Sequence, residues 1–277
     1  MEANSLISPT ARLVAFMRAE SGIRYCSEIA ELCGAKAPLL EALGVNTNQI
    51  AVRQSHVEMR FRSLSALVQR QNPSQVLEIA SGLSPRGLIF TEDPGVTYIE
   101  TDLPEILAEK WRIVERLIDL QTRPNYDLIV ANALNADELW SAASKFVHSK
   151  SLVVIHEGLM PYLGYSEKEQ LASNIHELTM EFSGVWITPD IYTREEYTRQ
   201  MKTAPDYREL TKQVTESVGV DMVANRFKDF SEAECFFNDA GFQVERHKQL
   251  ALSPGITTKA SNISGLRTEE IWAMTPF

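Results

Sequence analysis

The stretch VLEIASGLSPRG, residues 76–87, decides the fold of this chain. It begins with the apolar run of a buried strand, continues through a turn of small residues, and ends at Ser84-Pro85, a pair that favours the start of a helix. Small residues in such a turn let a ligand approach the backbone, and the N–H groups at a helix N-terminus carry partial positive charge. The stretch therefore predicts a strand–turn–helix unit that binds a ligand where the strand ends.

The same alternation of short apolar runs and longer amphipathic segments continues from Asn72-Pro73 onward, which is typical of repeated βαβ units. Most runs are unbroken, as expected of strands covered on both faces. We predict five parallel strands, at residues 75–80, 96–100, 126–131, 151–155 and 184–188. Two later strands, at 242–248 and 270–274, are predicted to complete the sheet as terminal hairpin strands. The predicted fold is a doubly wound, Rossmann-like α/β sheet.

Capping residues predict where the helices between these strands begin. An oxygen-bearing side chain followed three residues later by glutamate accepts hydrogen bonds from unpaired backbone N–H groups. The predicted starts are Ser84-Pro85, Asn135 with Glu138, Ser166 with Glu169, and Ser231 with Glu234.

The chain is interpreted as a single domain, residues 1–277, with two additions to its α/β core. Residues 1–72 are predicted to form an N-terminal helical cap, because apolar residues recur there at helical spacing; they are Leu13, Phe16, Met17, Val52, Met59, Leu64 and Leu67. The core comprises 73–189 and 231–277. Residues 190–230, rich in Tyr, Arg, Glu and Lys, are predicted to form an inserted helical lid.

Composition excludes several classes of partner. The formal net charge of -10 disfavours nucleic acid and anionic membranes, because both are bound through basic surfaces. Three cysteines without a CxxC pair indicate neither a disulfide framework nor a zinc ribbon, so we expect a reducing cytoplasm. The N-terminal stretch lacks a basic start followed by a long apolar run, so neither export nor membrane insertion is expected.

An acidic residue completes the predicted ligand site. Asp102 follows Gly82 by twenty positions and ends the second strand, where a carboxylate can accept both hydroxyls of a ribose. Alone, Asp102 is equally a cap for the helix at Pro104, and Gly82 a common turn residue. Their joint spacing on one βαβ unit favours a nucleoside site. Ala80 and Ser84 stand where a dinucleotide fingerprint has glycine, which disfavours a pyrophosphate ligand.

Four spaced blocks of the sequence resemble the leucine carboxyl methyltransferase family, which includes O-methyltransferases of bacterial polyketide pathways. ASGLSPRG is similar to the family's GAGLDTR turn, and YIETDLPEILAEK resembles its E-x-D-x-P block with a following lysine. HEGLMPYL resembles its EGLLMYL block, and TARLVAFMRA is similar to its N-terminal helix. The likeness spans roughly residues 9–182. It implies a methyltransferase that uses S-adenosylmethionine.

The resemblance also implies roles for individual residues. It implies that Ala80 and Gly82 in the turn, together with Arg86, hold the cofactor and that Asp102 binds its ribose. Arg60 falls where the family places an arginine that pairs with the methionine carboxylate.

Glu157 is implied to contact the methionine amino group or the substrate. Where the family has an Asp-Leu pair beside the adenine, this sequence has Ala133 and Leu134, flanked by Asn132 and Asn135. Two explanations stay open: an asparagine amide recognises the adenine, or this segment aligns with the family's Asp-Leu pair in a different register.

Candidate catalytic residues follow the fourth strand. His156, Glu157 and Tyr162 lie just past its carboxyl end, the edge at which doubly wound sheets bind ligands. A carboxylate acceptor needs no general base at neutral pH, whereas a phenol benefits from a neighbouring His or Glu. The bland alternatives are a structural His156, a solvated Glu157 and a packing Tyr162. The other histidines, His56, His148, His176 and His247, show no metal-ligand spacing, and no metal is predicted.

The interpretation is an S-adenosylmethionine-dependent O-methyltransferase for a carboxylate or phenolic hydroxyl of a small molecule. The lid is predicted to fold over this acceptor and set its identity; the alternative is a solvated helical excursion without a role in binding. Two alternatives stay open: a nicotinamide-dependent oxidoreductase, since the same fold and acidic ribose ligand serve both cofactors, and a protein that binds S-adenosylmethionine without turnover.

Overall fold

The structure is a computed structural model that describes residues 7–34, 47–203, 220–253, 255–256 and 269–277. Within these ranges the strands are β1 (Gln75–Glu78), β2 (Thr97–Asp102), β3 (Tyr126–Val130), β4 (Val153–Ile155), β5 (Val185–Thr188), β6 (Phe242–Lys248) and β7 (Glu270–Pro276). The α-helices of the same ranges are α1 (Ile7–Arg18), α2 (Cys26–Leu32), α3 (Thr47–Arg70), α4 (Arg86–Phe90), α5 (Pro104–Leu117), α6 (Ala136–Ala143), α7 (Tyr165–Glu181), α8 (Arg194–Thr203), α9 (Phe230–Asp239) and α10 (Gln249–Leu252).

The strands form one sheet in the order β3-β2-β1-β4-β5-β7-β6. Strands β1 to β5 are mutually parallel, so that Leu77 of β1 pairs with Ile99 of β2 on one side and with Val154 of β4 on the other. Strand β7 runs antiparallel to both β5 and β6. The predicted doubly wound fold is confirmed, and every predicted strand is present with ends that differ by at most two residues.

Two apolar cores cover the two faces of the sheet. Adjacent residues of β1 point to opposite faces, because successive side chains of a strand alternate. Leu77 belongs to one core with Trp186 and Trp272, and Val76 belongs to the other with Tyr98. This double burial explains why most of the parallel strands are largely apolar runs.

The N-terminal cap consists of α1, α2 and α3 among the described residues rather than one continuous helical run. Helix α3 buries Met59, Leu64 and Leu67 in the direction that their spacing predicts. A turn separates α1 from α2, and Tyr25 at its end has a left-handed backbone with φ 66°. Residues 1–6 and 35–46 and the side chain of Val52 lie outside the described residues.

Two of the predicted helix starts are confirmed. Helix α4 begins at Arg86, whose N–H donates to the Ser84 hydroxyl at 3.3 Å. Asn135 precedes α6, and its side-chain oxygen accepts the N–H of Glu138 at 3.3 Å.

The starts predicted at Ser166 and Ser231 are wrong. Helix α7 begins two residues before the predicted position, after Gly164, whose N–H donates to the Glu167 carboxylate at 2.7 Å. Helix α9 begins after Asp229, whose carboxylate accepts the N–H of the residue three positions later at 2.9 Å. In both places another capping residue with a glutamate three positions later lies two residues upstream; the pairs are Gly164 with Glu167 and Asp229 with Glu232. At the later site a carboxylate also interacts more favourably than a serine with the helix dipole.

The predicted lid is described in two parts. Helix α8 follows β5, and residues 220–229 lead into α9, with Thr193 and Phe227 forming a short parallel bridge between the two parts. Residues 204–219 of the predicted lid lie outside the described residues. No helix in the described part of the chain combines the length and apolarity needed to cross a membrane.

Candidate active site

A cavity of about 730 Å³ opens at the carboxyl ends of the parallel strands. It lies where β1 and β4 are neighbours although their sequence order is broken, and such a switch point is where doubly wound sheets bind ligands. The volume is within the roughly 300–1,000 Å³ of small-molecule sites. The wall is formed by the turn after β1, the ends of β2 and β3, the loop after β4, helices α1 and α3, and residues 220–226.

The turn after β1 is built from left-handed residues. Ala80 has φ 51° and Gly82 has φ 54°, and both line the cavity. Glycine adopts this conformation without strain, whereas a residue with a Cβ pays roughly 1–2 kcal/mol for it. Ala80 therefore has the backbone of the glycine it replaces in the dinucleotide pattern, and its methyl group adds bulk to this turn, residues 79–85, which we call the elbow.

Asp102 ties this turn to the end of β2. Its carboxylate accepts the N–H of Gly82 at 2.6 Å and the N–H of Leu103 at 2.7 Å. Burial raises the pKa of Asp102 above its ordinary value, against the lowering effect of these two bonds. Each oxygen still has a second lone pair for a ligand hydroxyl. The structural and the ligand-binding interpretations of Asp102 are therefore compatible.

A buried polar network supports the elbow from behind. The Glu78 carboxylate at the end of β1 pairs with Arg86 and accepts the hydroxyl of Tyr98 at 2.7 Å. Because Glu78 is itself buried, its ion pair and hydrogen bonds are what make a charge tolerable there.

A second buried carboxylate, that of Glu100 on β2, also supports the elbow. Glu100 pairs with Lys110 of α5 and accepts the N–H of Gly87 at 3.1 Å and the hydroxyl of Tyr126 at 3.0 Å. The Lys110 ammonium also donates to the hydroxyl of Ser81 at 3.1 Å. Lysine and glutamate of the YIETDLPEILAEK block thus fix the first turn of α4 and the elbow.

Glu157, in the loop after β4, is bound by three arginines. One carboxylate oxygen accepts from Arg18 at 2.7 Å and from Arg60 at 3.0 and 3.3 Å, and the other accepts from Arg86 at 2.8 Å. The Glu157 side chain is 3% exposed but contributes to the cavity wall. Burial raises the pKa of Glu157, but the three guanidinium groups outweigh it and hold the pKa far below its ordinary value. Glu157 is therefore ionised and weakly basic.

The arginines occupy different positions around this carboxylate. Arg60 and Arg18 line the cavity, and the Nε atom of Arg18 is buried without a hydrogen-bond partner among the described residues. Arg86 is fully buried behind the elbow, stacks on Phe61 at 4.4 Å, and is not among the lining residues. The structure thus brings Arg60 to the predicted cofactor site and places Arg86 behind it.

The structure does not bring His156 to the cavity. Its imidazole is fully buried, and its Nδ1 atom lies 3.1 Å from Asp190 and 3.2 Å from the Thr188 hydroxyl. Its Nε2 atom is buried without a partner in the described part of the chain, and the ring lies 5.6 Å from that of Trp186. This placement supports the structural alternative for His156. Tyr162 does line the cavity, and burial raises its phenolic pKa.

Asp190 orders the loop that carries Glu157. Its carboxylate accepts the N–H groups of Gly158 at 2.8 Å, Leu159 at 2.7 Å and Met160 at 3.3 Å. Burial raises the pKa of Asp190, but the bond to His156 and these backbone donors bring it below its ordinary value. Asp190 was not among the predicted site residues, although it lies just past β5, and a position just past a strand is the signal that marked His156 and Glu157.

The segment after β3 contributes Ala133 and Leu134 to the cavity wall. Asn135 is occupied by the α6 cap, because its amide donates to Glu138 at 2.7 Å. Asn132 accepts the N–H of Leu134 at 3.0 Å and also lines the cavity. Of the two asparagines predicted for adenine, Asn132 is the one that lines the cavity.

Four basic residues of the described wall were not predicted as site residues. Arg18 lies in the recognised TARLVAFMRA block, and Arg53, His56 and Arg226 lie in helical or irregular sequence with no local signature. Their convergence depends on tertiary structure alone.

Comparison with known proteins gives a consistent picture. The family model described as leucine carboxyl methyltransferase matches residues 19–176, more than half of the 277 residues. No curated protein sequence matches the chain significantly. Among solved structures, a DUF574 family protein from Streptomyces avermitilis is similar with a TM-score of 0.61 at 16% identity, covering 96% of each chain. A putative methyltransferase from Thermobifida fusca has a TM-score of 0.54 at 15% identity, covering 96% of this chain and 93% of its own. PigF with SAH has a TM-score of 0.51 at 13% identity, covering 86% of this chain and 62% of its own. At these identities the structures support the fold.

Proposed function

Because the chain belongs to the leucine carboxyl methyltransferase family, we propose that it transfers the methyl group of S-adenosylmethionine to a carboxylate or phenolic oxygen of a small molecule. The observation that carries the proposal is the cavity at the β1–β4 switch point, where the left-handed elbow and Asp102 meet. The solved structure of PigF with SAH supports it by analogy of fold.

The residues present fit this cofactor. Asp102 is buried at the wall, and its oxygens have lone pairs for two ribose hydroxyls. Arg60 and Arg18 present guanidinium groups that would hold the methionine carboxylate, and Asn132 would serve the adenine. Ala80 suits a nucleoside without phosphates, because its methyl group crowds the closest backbone approach.

When bound, S-adenosylmethionine supplies an electrophilic methyl group on a positively charged sulfur. The protein contributes alignment of the acceptor oxygen and exclusion of water. Glu157 holds Arg18 and Arg60 in place and is therefore a positioning residue. Asp190 has the same kind of role for the loop after β4.

Three titratable side chains of the described wall, those of Glu157, His56 and Tyr162, favour an acceptor that is already ionised. Three arginines keep the pKa of Glu157 low, so it accepts protons poorly. Burial and nearby arginines lower the pKa of His56 to about 3. Burial raises the pKa of Tyr162, which is then a neutral phenol at pH 7. A carboxylate meets this requirement directly, and a phenol meets it when the arginines lower its pKa.

Ligand binding followed by turnover tests the proposal. We expect S-adenosylmethionine and S-adenosylhomocysteine to raise the melting temperature and NAD to leave it unchanged, since a ligand at 100 times its Kd adds about 2.7 kcal/mol. Transfer of a labelled methyl group to small carboxylic acids and phenols then measures activity. Stabilisation by NAD alone would contradict the proposal. Binding of S-adenosylmethionine without transfer to any acceptor would favour the non-catalytic alternative.

A further inference from the structure

Arg226 brings to the cavity a positive charge that no carboxylate of the described residues contacts directly. Its charge does act at longer range on the buried Glu269, whose pKa is raised by burial and partly lowered by Arg226. Arg226 lies near the end of the insert, which is the predicted lid of residues 190–230, and its guanidinium lies 4.5 Å from the ring centre of Tyr197 and 5.6 Å from that of Tyr192. The guanidinium makes neither an ion pair nor a hydrogen bond within the described ranges of the chain. Two aromatic faces thus fix its plane while its donors remain available.

The carboxylates of the wall are committed elsewhere. Glu157 is bound by its three arginines, and Asp102 by the elbow. Glu167 accepts the N–H of Gly164 at the start of α7. In the described part of the wall, no carboxylate therefore pairs with Arg226.

Positive charge accumulates on this side of the cavity. His56 also lines the wall and is buried. Its pKa is lowered to about 3, first by burial and then by the charges of Arg60, Arg53 and Arg226. Arg53, Arg60 and Arg226 line the same cavity as this imidazole. Tyr192 also connects two of them, because its hydroxyl accepts from Arg60 at 2.8 Å while its ring faces Arg226.

A partly buried guanidinium that no carboxylate contacts is incompletely compensated, and a bound anion stabilises it. The planar fork of arginine matches a carboxylate through two parallel hydrogen bonds. The reacting oxygen itself is a poor partner for this fork, because a bidentate guanidinium would withdraw the electron density that attacks the methyl group. The anion is therefore best placed on another part of the acceptor.

We propose that Arg226, with Arg53 alongside, binds a carboxylate of the acceptor other than the oxygen that receives the methyl group. The inference rests on the proposed function and narrows its substrate class to small molecules with a carboxylate remote from the reacting oxygen. The insert then recognises the acceptor by charge.

Isothermal titration calorimetry on the full chain saturated with S-adenosylhomocysteine tests this inference. The probes are para-hydroxybenzoate and adipate, each compared with its neutral amide. We expect at least one acid to bind about tenfold or more tightly than its amide, since hydrogen bonds to charged groups contribute about 1.5–3 kcal/mol. Arg226→Gln should abolish this preference, and Arg226→Lys should retain part of it because the charge remains.

Arg199→Gln is the matched control. Arg199 belongs to the same insert, is 55% exposed, pairs with Glu196, and is absent from the cavity wall. This variant should keep the preference for the acid. Binding of S-adenosylhomocysteine to each variant confirms that it is folded.

The outcomes separate the two proposals. Failure of the wild type to bind S-adenosylhomocysteine would contradict the proposed function. Normal binding of S-adenosylhomocysteine with no preference for either acid would overturn the inference alone. An unchanged preference in Arg226→Gln would also overturn it. A selective fall in affinity for S-adenosylhomocysteine in Arg226→Gln would assign the residue to the methionine carboxylate and refute the acceptor role.

Discussion

Replacing Glu157 by glutamine removes the charge that holds Arg18, Arg60 and Arg86 together. The substitution keeps the size of the side chain but leaves one acceptor oxygen, and it directs an NH2 group at guanidinium donors. Arg86 is fully buried and loses one of its two ion pairs, keeping the pair with Glu78 and the hydrogen bond that its Nε donates to the Ser65 hydroxyl at 3.1 Å. Arg18 and Arg60 have side-chain exposures of 6% and 12%, so water replaces the lost carboxylate poorly.

Removing one partner of a buried ion pair costs about 3–5 kcal/mol. Glutamine still accepts one hydrogen bond, so we expect about 3 kcal/mol of destabilisation for Glu157→Gln. For a chain of this size that corresponds to a melting temperature lower by about 6 °C or more. Urea unfolding followed by circular dichroism measures the free energy of unfolding, and Glu245→Gln, at a side chain 76% exposed, is the matched control.

The pH dependence of this destabilisation shows whether the lost carboxylate charge is its cause. Because the folded-state pKa of Glu157 lies below its ordinary value of 4.5, its stabilisation is complete above that pH and is lost as pH falls through the lower folded value. The difference in unfolding free energy between wild type and Glu157→Gln should therefore be constant near neutrality and shrink below about pH 4.5. A variant as stable as the wild type at pH 7 would refute the assignment of Glu157 as the anchor of the arginines.

Three further predictions concern the elbow and the cavity wall. Asp102→Asn should weaken S-adenosylhomocysteine binding roughly 10- to 150-fold in calorimetry, through the loss of charge-assisted hydrogen bonds; unchanged affinity would contradict the ribose role. Wild type should lose up to about 1.4 kcal/mol of stability per pH unit below 6.5 from His56, whose folded pKa is lowered to about 3. His56→Gln should remove that loss, and His148→Gln, at a 65% exposed side chain, should not; identical pH profiles would argue against a buried neutral His56. Gly82→Ala should cost about 1–2 kcal/mol in urea unfolding from its left-handed backbone alone, since a Cβ there meets its nearest atom, in Ala11, at 3.9 Å; no loss would mean that the elbow relaxes.

The elbow is the part of the candidate site that the sequence predicts best. Asp102 and Gly82 were predicted as a pair from their spacing, and the structure joins them by a hydrogen bond of 2.6 Å. The spacing succeeds because both residues belong to one βαβ unit, in which chain separation and distance are coupled. The helix start predicted at Ser166 is wrong because Gly164, two residues earlier, is also followed by a glutamate three positions later. Local sequence alone does not decide between the two starts.

The partners of Glu157 could not be predicted from the sequence. Its position past β4 was predicted, but its partners were not, since Arg18, Arg60 and Arg86 lie 139, 97 and 71 residues away. Their approach depends on how α1, α3 and α4 pack against the sheet. The same packing separates Arg86 from the cavity and places Arg60 in its wall.

The amino-acid order by itself determined the seven strands, the parallel class of the sheet and the position of the elbow. These features follow from side-chain periodicity and turn chemistry, which act between residues close in the chain. Tertiary structure alone decided that His156 faces Asp190 instead of the cavity and that Arg226 reaches the cavity wall. Charges and imidazoles acquire their partners only when distant segments pack together, because burial and electrostatic interaction depend on distance in space.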